Sequence, residues 1–438
     1  MSNSTNGSPN GSAQKMPLRV LIGVGGGIAA YKAAHLVRYF KESSHEVHVI
    51  PTRSALKFVG AATFEALSGN PVSTDVFDNV DEVQHVRLGQ EADLIVIAPA
   101  TADLLARLAT GRADDLLTSS CLVSTCPIVL APAMHTEMWE NAATQANVRT
   151  LRERGITVIE PAHGRLTGKD SGPGRLPEPD HIGALSLAVA RNQHAEIFRQ
   201  SLVGKRVVVT AGGTEEPIDP VRFLTNASSG RQGYALADIA AQRGADVTLI
   251  SASTDVLHTP SGAEVVHVRT ALELQAAVQE AAPHADLMVM AAAVADYRPE
   301  SVAASKMKKD GDHDFSTLKM TENPDILAGL VQARREGEIP SETVIVGFAA
   351  ETGDEKSSPL EHAKRKFLRK GCDLLMCNAV GEGKVFGQED NAGWLLSARD
   401  TPGAEGREDP TVIDVPSGPK LDVAARILDE AETLLTPH

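Results

Sequence analysis

The sequence predicts an α/β protein with two parallel-sheet domains, each Rossmann-like in its alternation of strand and helix, and three observations carry that prediction. Short β-rich apolar runs recur along the chain with helical or loop sequence between them, the spacing of a parallel sheet with crossover connections. Two of these runs end in glycines that lead into a helical pattern, once at Gly25-Gly26-Gly27 and again at Gly212-Gly213. The length of 438 residues exceeds one comfortable core, since domains run to roughly 100–200 residues.

The elements follow in order. Residues 1–16 are Ser, Asn, Gly and Pro with almost nothing to bury, and are expected to be a disordered tail. Residues 18–23 form an apolar strand that enters Gly25-Gly26-Gly27-Ile28-Ala29-Ala30-Tyr31-Lys32 and a helix with Ala33, Leu36, Val37 and Phe40 on one face. Strands are expected at 47–50, 94–99, 128–131 and 157–159. Residues 161–179 are rich in Gly and Pro without periodicity, a length that loops seldom reach without a task, and they read as a functional flap. A helix from about Asp180 to Arg199 precedes Ser201–Lys205, where the pattern restarts. The boundary belongs there, giving domains at 17–199 and 200–438. In the second domain, strands are expected at 207–210, 247–251, 265–268, 287–291, 344–349 and 374–378, with a helix over 234–243. The charged segments 300–321 and 351–370 read as mobile lids.

Composition narrows the function classes. A net charge of −15 argues against nucleic acid or an anionic membrane as the main partner, because either would want a basic stripe. No run reaches the ~18 apolar residues of a membrane span, and the N-terminus lacks a hydrophobic signal core, so a cytoplasmic location is expected. Cys121, Cys126, Cys372 and Cys377 lack the spacing of a disulfide framework or a zinc site and read as reduced, mostly buried thiols.

Both glycine turns have the chemistry of a phosphate cradle. In the second, an apolar run passes through Thr210-Ala211-Gly212-Gly213-Thr214 to Asp219-Pro220-Val221-Arg222 and then to Asn226-Ala227-Ser228-Ser229-Gly230 before a helix. Such a path converges backbone N–H groups on a helix N-terminus, where an anion is stabilised. Two cradles imply two ligand sites.

Five ordered motifs in the first half carry a family resemblance. They are Gly23–Lys32, Thr52-Arg53-Ser54-Ala55, His85-Val86-Arg87-Leu88, Ala98-Pro99-Ala100-Thr101-Ala102-Asp103 and Pro132-Ala133-Met134-His135-Thr136-Glu137-Met138-Trp139. This series resembles the flavin-dependent cysteine decarboxylases. With the second half included, residues 17 to about 430 look like the bifunctional phosphopantothenoylcysteine decarboxylase and phosphopantothenate cysteine ligase of coenzyme A biosynthesis. The resemblance implies an N-terminal flavodoxin-like flavoprotein domain and a C-terminal nucleotide-binding ligase domain.

Decarboxylating a cysteine derivative needs an electron sink, and oxidation of its thiol to a thioaldehyde by a flavin supplies one; the protein orients and tunes that cofactor. By the resemblance, Gly26, Gly27 and Ile28 with Thr52 and Ser54 hold the phosphate and ribityl chain of FMN, and Pro99, Ala100, Thr101 and Ala102 border its ring. His85 is the candidate catalytic residue, since imidazole moves protons near neutral pH. Taken alone, it reads more simply as a surface histidine on an amphipathic helix. Met134 and Met138 lie four apart, the spacing of an ordinary apolar helix face; the resemblance makes them a substrate clamp with His135. Two departures from the family stand out. His135 occupies a position where the family usually has Asn, and the flap carries Thr167 where bacterial members often carry a proton-donating cysteine. The donor is then another group, with Lys169, Asp170 and water as candidates.

The second half resembles ligases that use CTP. Joining a carboxylate to an amine is uphill in water, so a nucleoside triphosphate first converts the carboxylate to an acyl nucleotidylate and releases pyrophosphate. The triphosphate charge calls for Mg²⁺ and lysines as electrostatic stabilisers. The resemblance assigns CTP binding to Gly212, Gly213, Ser228, Ser229, Gly230, Asp296, Lys306, Asn323, Pro324, Asp325, Ile326, Phe348, Lys366 and Lys370. It gives catalytic roles to Lys306 in forming the acyl-cytidylate and to Asn226 in handling it. Without that context Lys306-Met307-Lys308-Lys309 is a solvated charge cluster and Asn226 a turn or helix-cap residue. No metal ligand can be assigned, and CTP over ATP rests on the resemblance alone. The implied substrates are 4′-phosphopantothenate, L-cysteine and CTP. The implied assembly is a homo-oligomer, a dodecamer built from decarboxylase trimers and ligase dimers.

Two other readings stand beside this one. A two-domain NAD(P) oxidoreductase is disfavoured, because neither turn is a clean Gly-x-Gly-x-x-Gly followed by an acidic residue at the next strand's end. A ligase with a non-catalytic flavin-binding N-terminal half would account for the missing flap cysteine, and CO₂ release separates it from the bifunctional enzyme.

Overall fold

The computed structural model describes residues 16–74, 83–165, 171–192, 197–307, 318–351, 357–379, 390–398 and 410–435. The expected tail up to residue 15 and the flap residues Thr167, Lys169 and Asp170 lie outside them, as do Lys308 and Lys309. The chain divides into two compact units: one runs to Ile159 and takes in Leu176–Ala190, and the other comprises Glu160–Arg175 and the chain from Arg191 onward.

The first unit is a five-stranded parallel sheet. Its strands are β1 (Arg19–Val24), β2 (Glu46–Pro51), β3 (Leu94–Ala100), β4 (Ile128–Pro132) and β5 (Thr157–Val158), in the order β2-β1-β3-β4-β5. Every residue of β3 is buried, as expected of a central strand covered on both faces. The helices are α1 (Lys32–Glu42), α2 (Ala61–Ser68), α3 (Gln84–Glu91), α4 (Ala102–Thr110), α5 (Leu116–Val123), α6 (Thr136–Trp139) and α7 (Ala142–Glu153). On α1, Ala33, Leu36, Val37 and Phe40 are all buried, which is the face the periodicity predicts. The Thr101 hydroxyl caps α4 by accepting the Leu104 N–H, and Asp115 caps α5 in a reciprocal box with Thr118.

The segment read as a functional flap without periodicity contains an antiparallel hairpin, β6 (Ala162–Arg165) with β7 (Ser171–Arg175), which groups with the second unit. Helix α8 (Pro179–Arg191) stops well short of Arg199. Beyond it, Arg199 pairs with Asp429 at 2.9 Å and Glu432 at 2.7 Å.

The second unit holds an eight-stranded sheet. Its elements in chain order are β8 (Arg206–Ala211), β9 (Glu215–Asp219), β10 (Arg222–Thr225), α9 (Arg231–Gln242), β11 (Asp246–Ser251), β12 (Ala263–His267), α10 (Ala271–Ala281), β13 (Leu287–Met290), β14 (Tyr297–Pro299), β15 (Met320–Glu322), α11 (Ile326–Glu336), β16 (Val344–Glu351), α12 (Pro359–Lys370), β17 (Leu374–Ala379), β18 (Asp390–Ser397), β19 (Thr411–Pro419) and α13 (Lys420–Leu435). The sheet order is β12-β11-β8-β13-β16-β17-β18-β19, parallel as far as β17 and antiparallel beyond it. The hairpins β9/β10 and β14/β15 flank it.

The expected lid over 351–370 is corrected for its C-terminal part. Residues 359–370 are α12, started by a Ser358–Glu361 capping box and anchored by the buried Ala363 and Phe367. Its many charges are the solvent face of an amphipathic helix.

Candidate functional sites

In a parallel sheet, ligands bind beyond the carboxyl ends of the strands where the strand order reverses. In the first unit that point lies between β1 and β3, because β1 leads outward to β2 and β3 leads the other way. The Gly25–Ile28 turn follows β1, Thr52–Ser54 follows β2, Thr101 follows β3, and Ala133–Met138 follows β4. Four of the five sequence motifs therefore meet at one edge. The fifth, His85-Val86-Arg87-Leu88, lies on α3, and two residues of chain separate that helix from the start of β3.

The glycines shape this edge. The Gly25 N–H donates to the Pro99 carbonyl at 3.0 Å, and a Cβ at Gly25 would lie 2.4 Å from that oxygen. A Cβ at Gly26 would lie 2.3 Å from the Ser54 Cβ, which brings the Thr52–Ser54 turn directly against the glycine turn. Gly27 is extended, with no atom within 4 Å of where its Cβ would stand, so a ligand can approach its backbone. Ile28 is exposed. The buried Thr52 accepts the Ala55 N–H at 3.2 Å and retains its hydroxyl proton for donation. Thr101 is committed to its helix cap, leaving the Ala102 end of α4 with the outward N–H groups of a helix start. Pro99 and Ala100 are buried, and the Ala100 carbonyl accepts the Ala133 N–H at 3.1 Å, tying the β3 and β4 ends together.

His85 is half-buried, and its Nδ1 is buried without a hydrogen-bond partner. Buried polar atoms are nearly always paired, so this ring nitrogen has hydrogen-bonding capacity that the described side chains leave unused. A plain surface histidine would meet water instead. Met134 packs against the core, Met138 is exposed, and His135 is exposed with its carbonyl accepting the Met138 and Trp139 N–H groups at 3.0 Å. The buried Trp139 anchors this short helix.

Two features escaped sequence reasoning. Lys32 ends the glycine motif yet is buried, with Nζ 2.9 Å from Glu178 Oε1 and 3.3 Å from the Leu176 carbonyl. It braces the chain after the hairpin. Arg107 holds Asp103, Asp114 and Asp115 at 3.1, 2.9 and 2.7 Å, and its hydrogen bond keeps the Asp114 carboxyl below the usual carboxylate range. The motif spacing signals neither contact. Cys121, Cys126, Cys372 and Cys377 are free thiols, and all but Cys126 are buried. Burial pushes Cys121 up to about 12 and Cys126 and Cys377 to about 11, so these three stay protonated at neutral pH.

The second site repeats the logic between β8 and β13. Gly213 bridges to both Ser253 and Ala293, and Gly212 adopts a left-handed φ of 85° with its Cβ position 2.4 Å from the Ser253 carbonyl. Gly230, at φ 74°, starts α9 against Thr254. These glycines let three loops close together. Asn226 is exposed; its Nδ2 donates to the Val294 carbonyl at 3.0 Å, and its own carbonyl lies 2.7 Å from the Cβ position of Gly213. Ser228 Oγ accepts the Gly230 N–H at 3.4 Å, and the Ser229 carbonyl accepts the Asp255 N–H at 3.3 Å.

Asp296 is exposed just beyond β13, and its carbonyl accepts the Asn323 N–H at 2.8 Å. Asn323 serves as a strut, with Nδ2 on the Ala295 carbonyl at 2.8 Å and Oδ1 accepting from Arg298 at 3.0 Å. Pro324 follows it, Asp325 caps α11 through the Ala328 N–H, and the Ile326 side chain turns into the core. Lys366 lies 2.9 Å from Glu351, and Lys370 is in close contact with Asp325. Burial pulls the Asp325 carboxyl upward, but Lys370 and the Ala328 N–H outweigh it and hold it low. Phe348 is half-buried near the end of β16, and Lys306 is exposed.

The sequence also resembles known proteins. A family model described as Flavoprotein matches residues 9–191, and one described as DNA/pantothenate metabolism flavoprotein C-terminal domain matches residues 202–434. The Coenzyme A biosynthesis bifunctional protein CoaBC of Mycobacterium tuberculosis is 56% identical over 422 residues, 96% of this chain and 98% of that protein. The chain belongs to the family of bifunctional coenzyme A biosynthesis proteins. The family member of the same description from Vibrio cholerae is 44% identical over 379 residues, covering 85% of this chain and 90% of its own. Among solved structures, the C-terminal domain of a Coenzyme A biosynthesis bifunctional protein CoaBC is 32% identical over 54% of this chain and 98% of its own, with a TM-score of 0.42. The FMN-dependent cysteine decarboxylase SpaF is 34% identical over 40% of this chain and 97% of its own, with a TM-score of 0.35.

Proposed function

We propose that the second unit couples 4′-phosphopantothenate to L-cysteine at the expense of CTP, and that the first unit decarboxylates the product to 4′-phosphopantetheine with FMN. The observation that carries this reading is the pair of glycine turns, one at the reversal point of each parallel sheet in a single chain.

In the ligase step, a carboxylate oxygen of 4′-phosphopantothenate bonds to the α-phosphorus of CTP, the bond to the bridging oxygen breaks, and pyrophosphate leaves. The cysteine amine then attacks the acyl carbon, CMP departs with the bonding electrons, and the amine loses its proton. Lys306, Lys366 and Lys370 supply positive charge to the triphosphate; Glu351 and Asp325 hold two of these lysines in place beforehand. Asn226 is placed to hydrogen-bond the acyl intermediate. Mg²⁺ would accompany the triphosphate as its counter-ion.

The first site suits a flavin phosphate and ribityl chain at the open backbone face of Gly27, and the unpartnered Nδ1 of His85 is left for the substrate. Gly26, Gly27, Ile28, Thr52 and Ser54 would hold that chain, and Pro99, Ala100, Thr101 and Ala102 would border the ring. FMN supplies a reversible hydride acceptor that turns the substrate thiol into an electron sink. His85 moves the substrate proton, and Met134, His135 and Met138 position the substrate. Assembly as a dodecamer in the cytoplasm completes the proposal.

The test uses purified protein with 4′-phosphopantothenate, L-cysteine, Mg²⁺ and either CTP or ATP, following CMP, AMP and CO₂ after recording the absorbance spectrum. Flavin absorbance with CTP-dependent CO₂ release supports both halves. CMP without CO₂ from a flavin-bearing protein would replace this reading with a ligase whose flavin half is non-catalytic. Neither product from either nucleotide would overturn it.

A further inference from the structure

β9 ends at Asp219, whose side chain is fully enclosed. Its Oδ1 accepts the backbone N–H groups of Val221 and Arg222, each at 2.9 Å, and these two bonds close the Asp-Pro-Val-Arg turn into β10. The turn needs nothing more from the carboxylate. Its Oδ2 nevertheless receives the Arg222 guanidinium, with Nε at 2.9 Å and Nη2 closer still, and also the N–H of Met307 at 3.3 Å. Arg222 Nη2 in turn donates to the Met307 carbonyl at 2.9 Å.

One ion pair thus grips both backbone polar groups of Met307, a residue in a stretch without regular secondary structure. Upstream, the Ala303 N–H donates to the Ile218 carbonyl at 3.0 Å. Lys306 lies between these two anchors with its side chain exposed. An exposed lysine on an irregular segment would otherwise sample many backbone states, and the ordering cost would fall on the reaction.

We propose that Asp219 is a positioning residue for Lys306: together with Arg222 it fixes the backbone that presents the ammonium group to the nucleotide. This rests on the reading that Lys306 acts in acyl-nucleotidylate formation. Asp219 touches no substrate; it acts through Arg222 and Met307.

The experiment compares the full-length protein with Asp219→Asn, Lys306→Gln and the double variant. Amide hydrogen exchange at Met307, measured without substrate, reads the grip directly, and single-turnover pyrophosphate release with CTP and 4′-phosphopantothenate reads its consequence. Asp219→Asn should speed Met307 exchange by at least about tenfold and slow pyrophosphate release by about 10- to 100-fold, with CTP affinity changed by less than about twofold. In the Lys306→Gln background the same change should slow release by less than about twofold, since coupled residues are non-additive. A merely structural role would weaken CTP binding and slow the reaction equally in both backgrounds. Should Asp219→Asn fail to fold, Asp219→Glu keeps the charge and should show the same pattern at smaller amplitude. Unchanged Met307 exchange, or equal slowing in the two backgrounds, overturns the proposal. Protected Met307 in a wild-type protein that releases no pyrophosphate shows the grip but overturns the nucleotidyl-transfer reading, and the positioning role with it.

Discussion

A Cβ on Gly26 would collide with Ser54 at 2.3 Å, so the side chain lost at this position is what allows two loops to meet. Gly26→Ala is expected to leave the chain folded by circular dichroism but stripped of flavin absorbance after purification. For His85, the unpartnered Nδ1 gives a sharper expectation. His85→Asn should retain the flavin spectrum and lose about 10²- to 10⁴-fold in CO₂ release from supplied phosphopantothenoylcysteine, the usual span of general acid–base catalysis. Asp219 links a residue to pH. The Arg222 hydrogen bond, helped by the Val221 and Met307 N–H groups, holds its carboxyl at about 2, below its ordinary value of 3.8. A depressed folded-state pKa stabilises the fold above the unfolded pKa, and that contribution is lost as pH falls from about 4 to about 2. The melting-temperature gap between wild type and Asp219→Asn should therefore shrink across that window. His85 and the glycines were legible in the sequence as types of chemistry. The commitments of Lys32 to Glu178 and of Asn323 to Ala295 were not, because each partner is fixed only when distant loops meet.

At the level of elements, the interior strands were readable because strands covered on both faces show as unbroken apolar runs, as β3 and β8 do. β19 was not: it carries Pro416 and Pro419 and borders the sheet, where proline is tolerated and the apolar signal fades. α12 was mistaken for a lid because Ala363 and Phe367 are its only buried side chains amid charge. α13 is held by a feature that no local pattern shows. Arg243, 1% exposed, pairs with Glu432 at 2.6 Å and with Asp429 at 2.9 Å, and Arg199 shares both carboxylates. Removing one partner leaves a buried charge poorly compensated. Glu432→Ala should cost about 3 kcal/mol, the low end for a broken buried pair because Asp429 remains, read as a lower denaturant midpoint.

For the whole molecule, two units with separate sites predict separable activities. Lys306→Ala should abolish most CTP-dependent pyrophosphate release while flavin absorbance and decarboxylation of supplied phosphopantothenoylcysteine persist; parallel loss of both would show that the halves are interdependent. Among the described residues no helix is long and apolar enough to cross a membrane. The sequence by itself determined the α/β class, the alternation within each half and the glycine turns that follow β1 and β8. Those follow from apolar periodicity and from glycine's backbone freedom, both properties of neighbouring residues. Only the tertiary structure decided that the segment after residue 160 forms a hairpin, that α8 ends at Arg191, and that Asp219 grips the residue beside Lys306. The last of these depends on hydrogen bonds between residues far apart in the chain, and such partners are chosen by the packed fold.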